Sequence, residues 1–245
     1  MRVGVYEWKS GLNKENLLNR FRFAHLARTW HWKAMQINGQ HLIRLPEMEP
    51  LVCGQIEGNS DVDLSSWLQG IYIAMILRDI EAVKVYSQAD PEKITRYGQN
   101  KPDPWEIPYI KFLNGIWAFD TQLLHHLKAA MLGCDPKLYN PERADYLLNI
   151  ISPVMELWVK VLGGDEAAFN EGLYQQQKIR HDWHEALGDD TGNSIMEYID
   201  LAALAAVCYA HDKGMKVEVK SDYLPEFLIN GDFPKLEWPD PEWKA

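Results

Sequence analysis

Residues 194–232, SIMEYIDLAALAAVCYAHDKGMKVEVKSDYLPEFLINGD, decide the reading of the fold. Leu201–Ala206 and then Val207-Cys208 form an apolar, small-residue run that packs tightly as a helix. Ser194 and Glu197 have capping-box spacing, so the sequence predicts a helix from Ser194 to near His211, closed by Gly214. Lys216–Val219 (KVEV) shows the one clear strand alternation, and it is only four residues long. None of these residue types in this order forms a reaction centre. The stretch reads as the end of a helical scaffold that works through its surface.

The same helical period runs upstream. Ala144, Leu147, Leu148, Ile151, Val154, Met155, Trp158, Val161 and Leu162 fall on one helical face. Asn140-Pro141 gives that helix an N-cap and a first-turn proline, Gly163-Gly164 ends it, and Pro153 predicts a kink or break inside it. A further helix is expected over 165–186, another over 107–132 with Gly133 at its end, and two more over 14–37 and 64–87. The last of these has a candidate break at Arg78-Asp79. Two irregular stretches separate them. Residues 40–61 are a long connection suited to a short strand or a partner-binding loop, and Tyr97–Pro108 is a second break. The expected fold is all-α: antiparallel helix pairs packed as a helical-repeat-like array, with at most one short strand near 216–219. Residues 1–245 are read as a single all-α domain.

Composition narrows the function. With 25 basic and 35 acidic residues the formal net charge is −10, which disfavours nucleic acid as a partner because phosphate contacts need Lys and Arg. It suits a basic protein partner. Cys53, Cys134 and Cys208 are odd in number and widely spaced, without a CxxC, so a reducing compartment and no disulfide framework are expected. The longest unbroken apolar run, LAALAAVCYA, is too short to cross a membrane, and the N-terminus has no secretory h-region. A soluble, cytoplasmic chain is expected, with no membrane partner.

The busiest polar segment is Arg180-His181-Asp182-Trp183-His184-Glu185. On a helix, His181, His184 and Glu185 share one face at metal-ligand spacing. The order HxxHE is not the zinc-protease HExxH, so a polar helix end or a partner-contacting surface is the more economical reading, and no metal or cofactor is assigned. Asp182, Trp183 and Glu185, with the acidic turn Asp189-Asp190, are the candidate partner-binding residues, since aromatic and charged groups make binding hot spots. Asp120 falls among Leu113, Ile116, Trp117, Leu123, Leu124 and Leu127, and is expected to be a buried structural carboxylate paired to a neighbouring helix. Nucleotide and hydrolase fingerprints are absent, and no catalytic residue is assigned.

The C-terminal part resembles the immunity protein 49 family of bacterial polymorphic toxin systems. The likeness rests on Phe169-Asn170, Lys178-x-x-His181-x-Trp183, Leu201-Ala202-Ala203-Leu204-Ala205-Ala206, Ala210-x-Asp212-x-Gly214, Val217-x-Val219 and Ser221-Asp222-Tyr223-Leu224-Pro225. Residues 67–82, with Ala74 and Arg78-Asp79, fit more loosely, and residues 1–60 carry no recognised match. The resemblance implies a non-enzymatic, antitoxin-like protein that occludes one cognate toxin domain delivered by contact or by type VI-like secretion. Two other readings stay open on the residues themselves: a helical adaptor that binds peptides or helices, and a metal-dependent helical enzyme using His181–Glu185 with Asp120.

Overall fold

The computed structural model describes residues 14–36, 39–44, 49–54, 63–98, 101–187, 199–234 and 242–244. The architecture is all-α with one small sheet. Two compact units divide the chain: residues 1–20 with 131–233, and residues 21–130 with 234–245.

In the unit built on residues 21–130, the greater part of α1 (Lys14–Met35), from Phe21 on, leads into a hairpin of β1 (Gln40–Arg44) and β2 (Leu51–Gly54). The strands are antiparallel, with His41 opposite Cys53 and Leu42 opposite Val52. On the other edge of β1 lies β3 (Glu242–Lys244), also antiparallel, with Leu42 opposite Lys244. β1 and β2 thus fall in the connection that suited a short strand, whereas the strand expected near 216–219 does not form. Residues 216–219 are extended but belong to no ladder. Their backbone groups are taken by side chains of a neighbouring helix. Asn170 donates to Lys216 O (2.8 Å) and accepts from Glu218 N (2.8 Å), while Glu166 accepts from Lys216 N (2.8 Å). With those groups satisfied, no partner strand is required.

The helices of this unit follow from capping residues. Asp63 caps α2 (Leu64–Ile76) and Asp79 caps α3 (Ile80–Ser87). The expected break at Arg78-Asp79 occurs there, with Arg78 in the left-handed region at φ 57°. Asp90 caps α4 (Pro91–Tyr97). The helix expected over 107–132 is two helices, α5 (Glu106–Ala118) and α6 (Leu123–Gly133). Phe119 turns left-handed (φ 53°), and Asp120 forms a local cap by accepting from Gln122 N at 2.8 Å. The apolar period continues across this turn, which is why sequence alone runs the two helices together. The core gathers Trp67, Ile71, Tyr86, Tyr109 and Phe112, all at 2% exposure or less. Trp67 meets Tyr86 edge-on at 6.2 Å and donates to its carbonyl at 3.2 Å. Cys53 of the hairpin packs with Ala34 of α1.

The other unit carries the long helices. α7 (Pro141–Tyr146), a π turn (Leu147–Ile151) and α8 (Ser152–Gly163) form one continuous run. Proline cannot donate to a carbonyl four residues back, and the π turn lies directly before Pro153, with Ser152 N donating to Leu147 O. The predicted irregularity is thus a wide turn rather than a break. Gly164 ends the run at φ 70°. α9 (Glu166–Leu187) returns against it, since a connection this short makes the two antiparallel. α10 (Leu201–Asp212) begins at Leu201, where Asp200 caps Ala203 N (3.1 Å). Ser194 and Glu197, expected to open it, lie outside the described residues. α10 is buried nearly all round, and α11 (Glu226–Ile229) follows. By length and composition alone, the run Pro141–Gly163 could cross a membrane, although the sequence shows no unbroken apolar stretch that long. Here its Val154, Met155, Leu157, Trp158 and Val161 are buried, and Trp158 packs on Tyr209 of α10 at 5.4 Å.

Candidate functional site: an acidic aromatic groove along α9

α9 has two faces of different character. The inner one buries Phe169, Leu173, Gln176, Gln177 and Arg180. The outer one presents Ile179, Asp182, Trp183 and Ala186 at i, i+3, i+4 and i+7. That outer face and the start of the α7–α8 run, through Asp145 and Asn149, line an open groove of about 380 Å³. One hydrogen bond ties the walls together: the Trp183 indole N–H donates to Asp145 Oδ2 at 2.6 Å. Asn149 donates to the other oxygen, Oδ1, at 2.9 Å, and to the Asp145 carbonyl at 2.8 Å. Tyr146 and His184 meet the Trp183 ring edge-on at 5.9 and 5.1 Å. The ring is therefore held from three sides.

Beneath the outer face runs a buried polar network. Asp200 accepts from Gln176 (2.7 Å) and Gln177 (3.2 Å), and its Oδ2 lies 3.7 Å from Arg180 Nε. Ser221 donates to Gln177 Oε1, and the Tyr223 ring covers the Arg180 guanidinium at 5.5 Å. His181 Nδ1 lies 3.3 Å from the Tyr223 hydroxyl, and the His184 ring stacks on Tyr223 at 6.5 Å. Burial pushes the Tyr223 phenol above its ordinary value, partly offset by Arg180. The buried Arg180–Asp200 pair ties the N-cap of α10 to α9, because either charge alone would be costly to bury. Ser221 and Tyr223, from the resemblance, close over this network from the segment after α10.

The predicted residues separate on this geometry. Trp183 and Asp182 are groove residues. Asp182 is also bound to Lys178 at 2.5 Å, and this contact holds the exposed Lys178 ammonium above the ordinary lysine range. Glu185 is exposed but does not line the groove. Asp189 and Asp190 lie outside the described residues. His181 and His184 turn toward Tyr223, and no metal-holding group of three His, Cys, Asp or Glu occurs among the described residues. Asp120 pairs with the neighbouring helix as expected, through His126 of α6 at 3.2 Å, but it is partly exposed in the α5–α6 turn rather than buried on a helix face. Asp145, Asn149 and Ile179 are groove residues that sequence reasoning missed. Asp145 lies on the exposed face of α7 and Asn149 in the π turn, and no periodicity brings them opposite Trp183.

A family model described as immunity protein 49 matches residues 19–228. The chain belongs to the immunity protein 49 family. The match begins well before residue 61, so it takes in most of α1 and the hairpin, which the sequence resemblance left out. No curated protein and no solved structure matches the chain.

Proposed function

We propose that this immunity protein 49 family member binds one cognate toxin domain and neutralises it by stoichiometric occlusion, without chemistry of its own, in the cytoplasm of the cell that makes it. Family membership across residues 19–228 carries the reading. The net charge of −10 supports a basic partner, since opposite charge raises the rate of encounter and fixes orientation. The groove of Asp145, Asp182 and Trp183 supplies the kind of anchor that concentrates binding energy: a held aromatic ring flanked by charge.

The test is recovery of the tagged chain from its native host, with partners read by mass spectrometry and the recovered partner then expressed alone and with the chain. One stoichiometric partner that survives high salt, arrests growth alone and is harmless with the chain supports neutralisation. A dispersed set of weak partners, none toxic, would replace the reading with that of a helical adaptor.

A further inference from the structure

The Asp145 carboxylate has an unusual set of neighbours for an exposed acid. Both oxygens are engaged, yet both donors are neutral: the Trp183 indole on Oδ2 and the Asn149 amide on Oδ1. Among the described residues no lysine or arginine bridges it, whereas Asp182 across the groove already has Lys178. The charge is therefore oriented but not neutralised. A carboxylate has about four lone-pair positions, so two remain for an incoming donor. Neutral donors also fix the plane of the carboxylate, which removes part of the ordering cost when a cation arrives.

We propose that this groove is the seat of an arginine side chain carried on a basic, partly apolar segment of the toxin partner. The proposal rests on the reading that the protein binds such a partner, and it names what the groove selects. Arginine fits better than lysine on two counts. Its planar fork matches a carboxylate held in a fixed plane, and a guanidinium stacks on an indole face more readily than an ammonium does. Ile179 and Ala186 give the arginine stem and an adjacent apolar residue a surface to cover. Like charge would be excluded by Asp145 and Asp182 together, so the groove also rejects acidic segments.

The π turn has a part in this arrangement. An ordinary α-helix through 141–163 would carry Asp145 and Asn149 round its axis relative to residues beyond 152. The wide turn at Leu147–Ile151, which contains Asn149, inserts an i→i+5 closure between Asp145 and α8, and such turns recur at functional sites. The α7 end of the groove is thereby set independently of the apolar face that α8 buries.

The test needs no toxin. The full chain is labelled with ¹⁵N and titrated with an N-acetylated, C-amidated peptide of alternating arginine and leucine, while the Trp183 indole N–H resonance is followed. That resonance is identified by its loss in Trp183→Phe. The reporter is direct, because this N–H donates to Asp145. The expected result is a saturable shift that weakens as salt rises, is lost with a citrulline–leucine peptide of the same shape, and weakens roughly tenfold or more in Asp145→Asn. Asp145→Asn keeps an acceptor for Trp183, and the other indole resonances report whether it remains folded. Equal shifts with the citrulline peptide, no shift at all, or an unchanged affinity in a folded Asp145→Asn would each overturn the assignment. Such a failure leaves neutralisation standing, because protection by the whole chain is scored separately in cells. Conversely, a saturable arginine response in a chain that protects against nothing would keep the groove and remove the toxin.

Discussion

Single side chains decide how the helices around Tyr86 pack. Tyr86 is fully buried, and Gly70 of α2 lies directly against its ring. A methyl group at position 70 would stand 2.5 Å from Tyr86 Cε1, Cζ and Oη, too close for any rotamer change of a stiff ring wedged between Trp32 and Trp67. Gly70→Ala is therefore expected to destabilise by about 1–3 kcal/mol, the usual cost of overpacking, although alanine is the better helix former. A denaturant midpoint equal to or above the parent's would show that the core yields there. The same burial pushes the Tyr86 phenol far above its ordinary value. The sign follows from linkage. A raised folded-state value means that the folded chain keeps its proton where the unfolded chain loses it. The stabilising contribution is thus fully present below the unfolded value of about 10 and is lost as pH rises beyond it. Stability should fall above about pH 10 in the parent and fall less steeply in Tyr86→Phe, measured by denaturant titration across that range. Parallel curves would remove Tyr86 as the cause.

At the scale of elements, the informative places are the junctions. Phe119 ends α5 in a left-handed conformation with its ring 92% exposed, so the ring contributes almost no burial to offset the steric penalty of its backbone. That penalty is about 1–2 kcal/mol for an L-residue other than glycine or asparagine. Phe119→Gly should consequently stabilise by about 1 kcal/mol, read as a higher denaturant midpoint with an unchanged slope. A loss of stability would mean that the phenyl ring has contacts outside this turn. Such junctions are also where the sequence was least legible. Helix existence followed from apolar period and caps for the run from Pro141, because these patterns are local, and the helices expected from about residues 14, 64 and 165 are present too. The α5–α6 break did not, because Leu123, Leu124 and Leu127 continue the phase of Leu113 and Ile116 across it, although α5 ends at Ala118, two residues before Asp120. Of the small sheet, β1 and β2 fall in the connection that suited a strand, but β3 was hidden, since it is about 200 positions from its neighbour and pairing at that separation leaves no local signature. Of the groove, Asp182 and Trp183 could be named from residue type. Asp145 opposite them could not, because it faces them only after α9 has folded back along α8.

For the whole molecule, charge is the property that acts at a distance. A net −10 on this chain produces a field that reaches about 8–10 Å into physiological salt before it is screened. Within that range it would speed encounter with a basic partner such as the toxin domain proposed above, whereas close contacts set how long a complex lasts. These two contributions separate by experiment. Glu142, Glu156 and Glu185 are exposed on α7, α8 and α9 and do not line the groove. Changing all three to glutamine removes charge without touching the groove. With the toxin domain recovered as partner, the triple variant should associate more slowly by a factor of about 3–10 at low salt, converge on the parent as salt rises, and dissociate at the parent's rate. Asp145→Asn should behave in the opposite way, dissociating faster with little change in the salt dependence of association. Stopped-flow association at several ionic strengths, with dissociation by competition, distinguishes the two patterns. If the triple variant dissociated faster and associated normally, those glutamates would be contact residues, and the toxin would cover the outer surface of the helices rather than anchor in the groove between them.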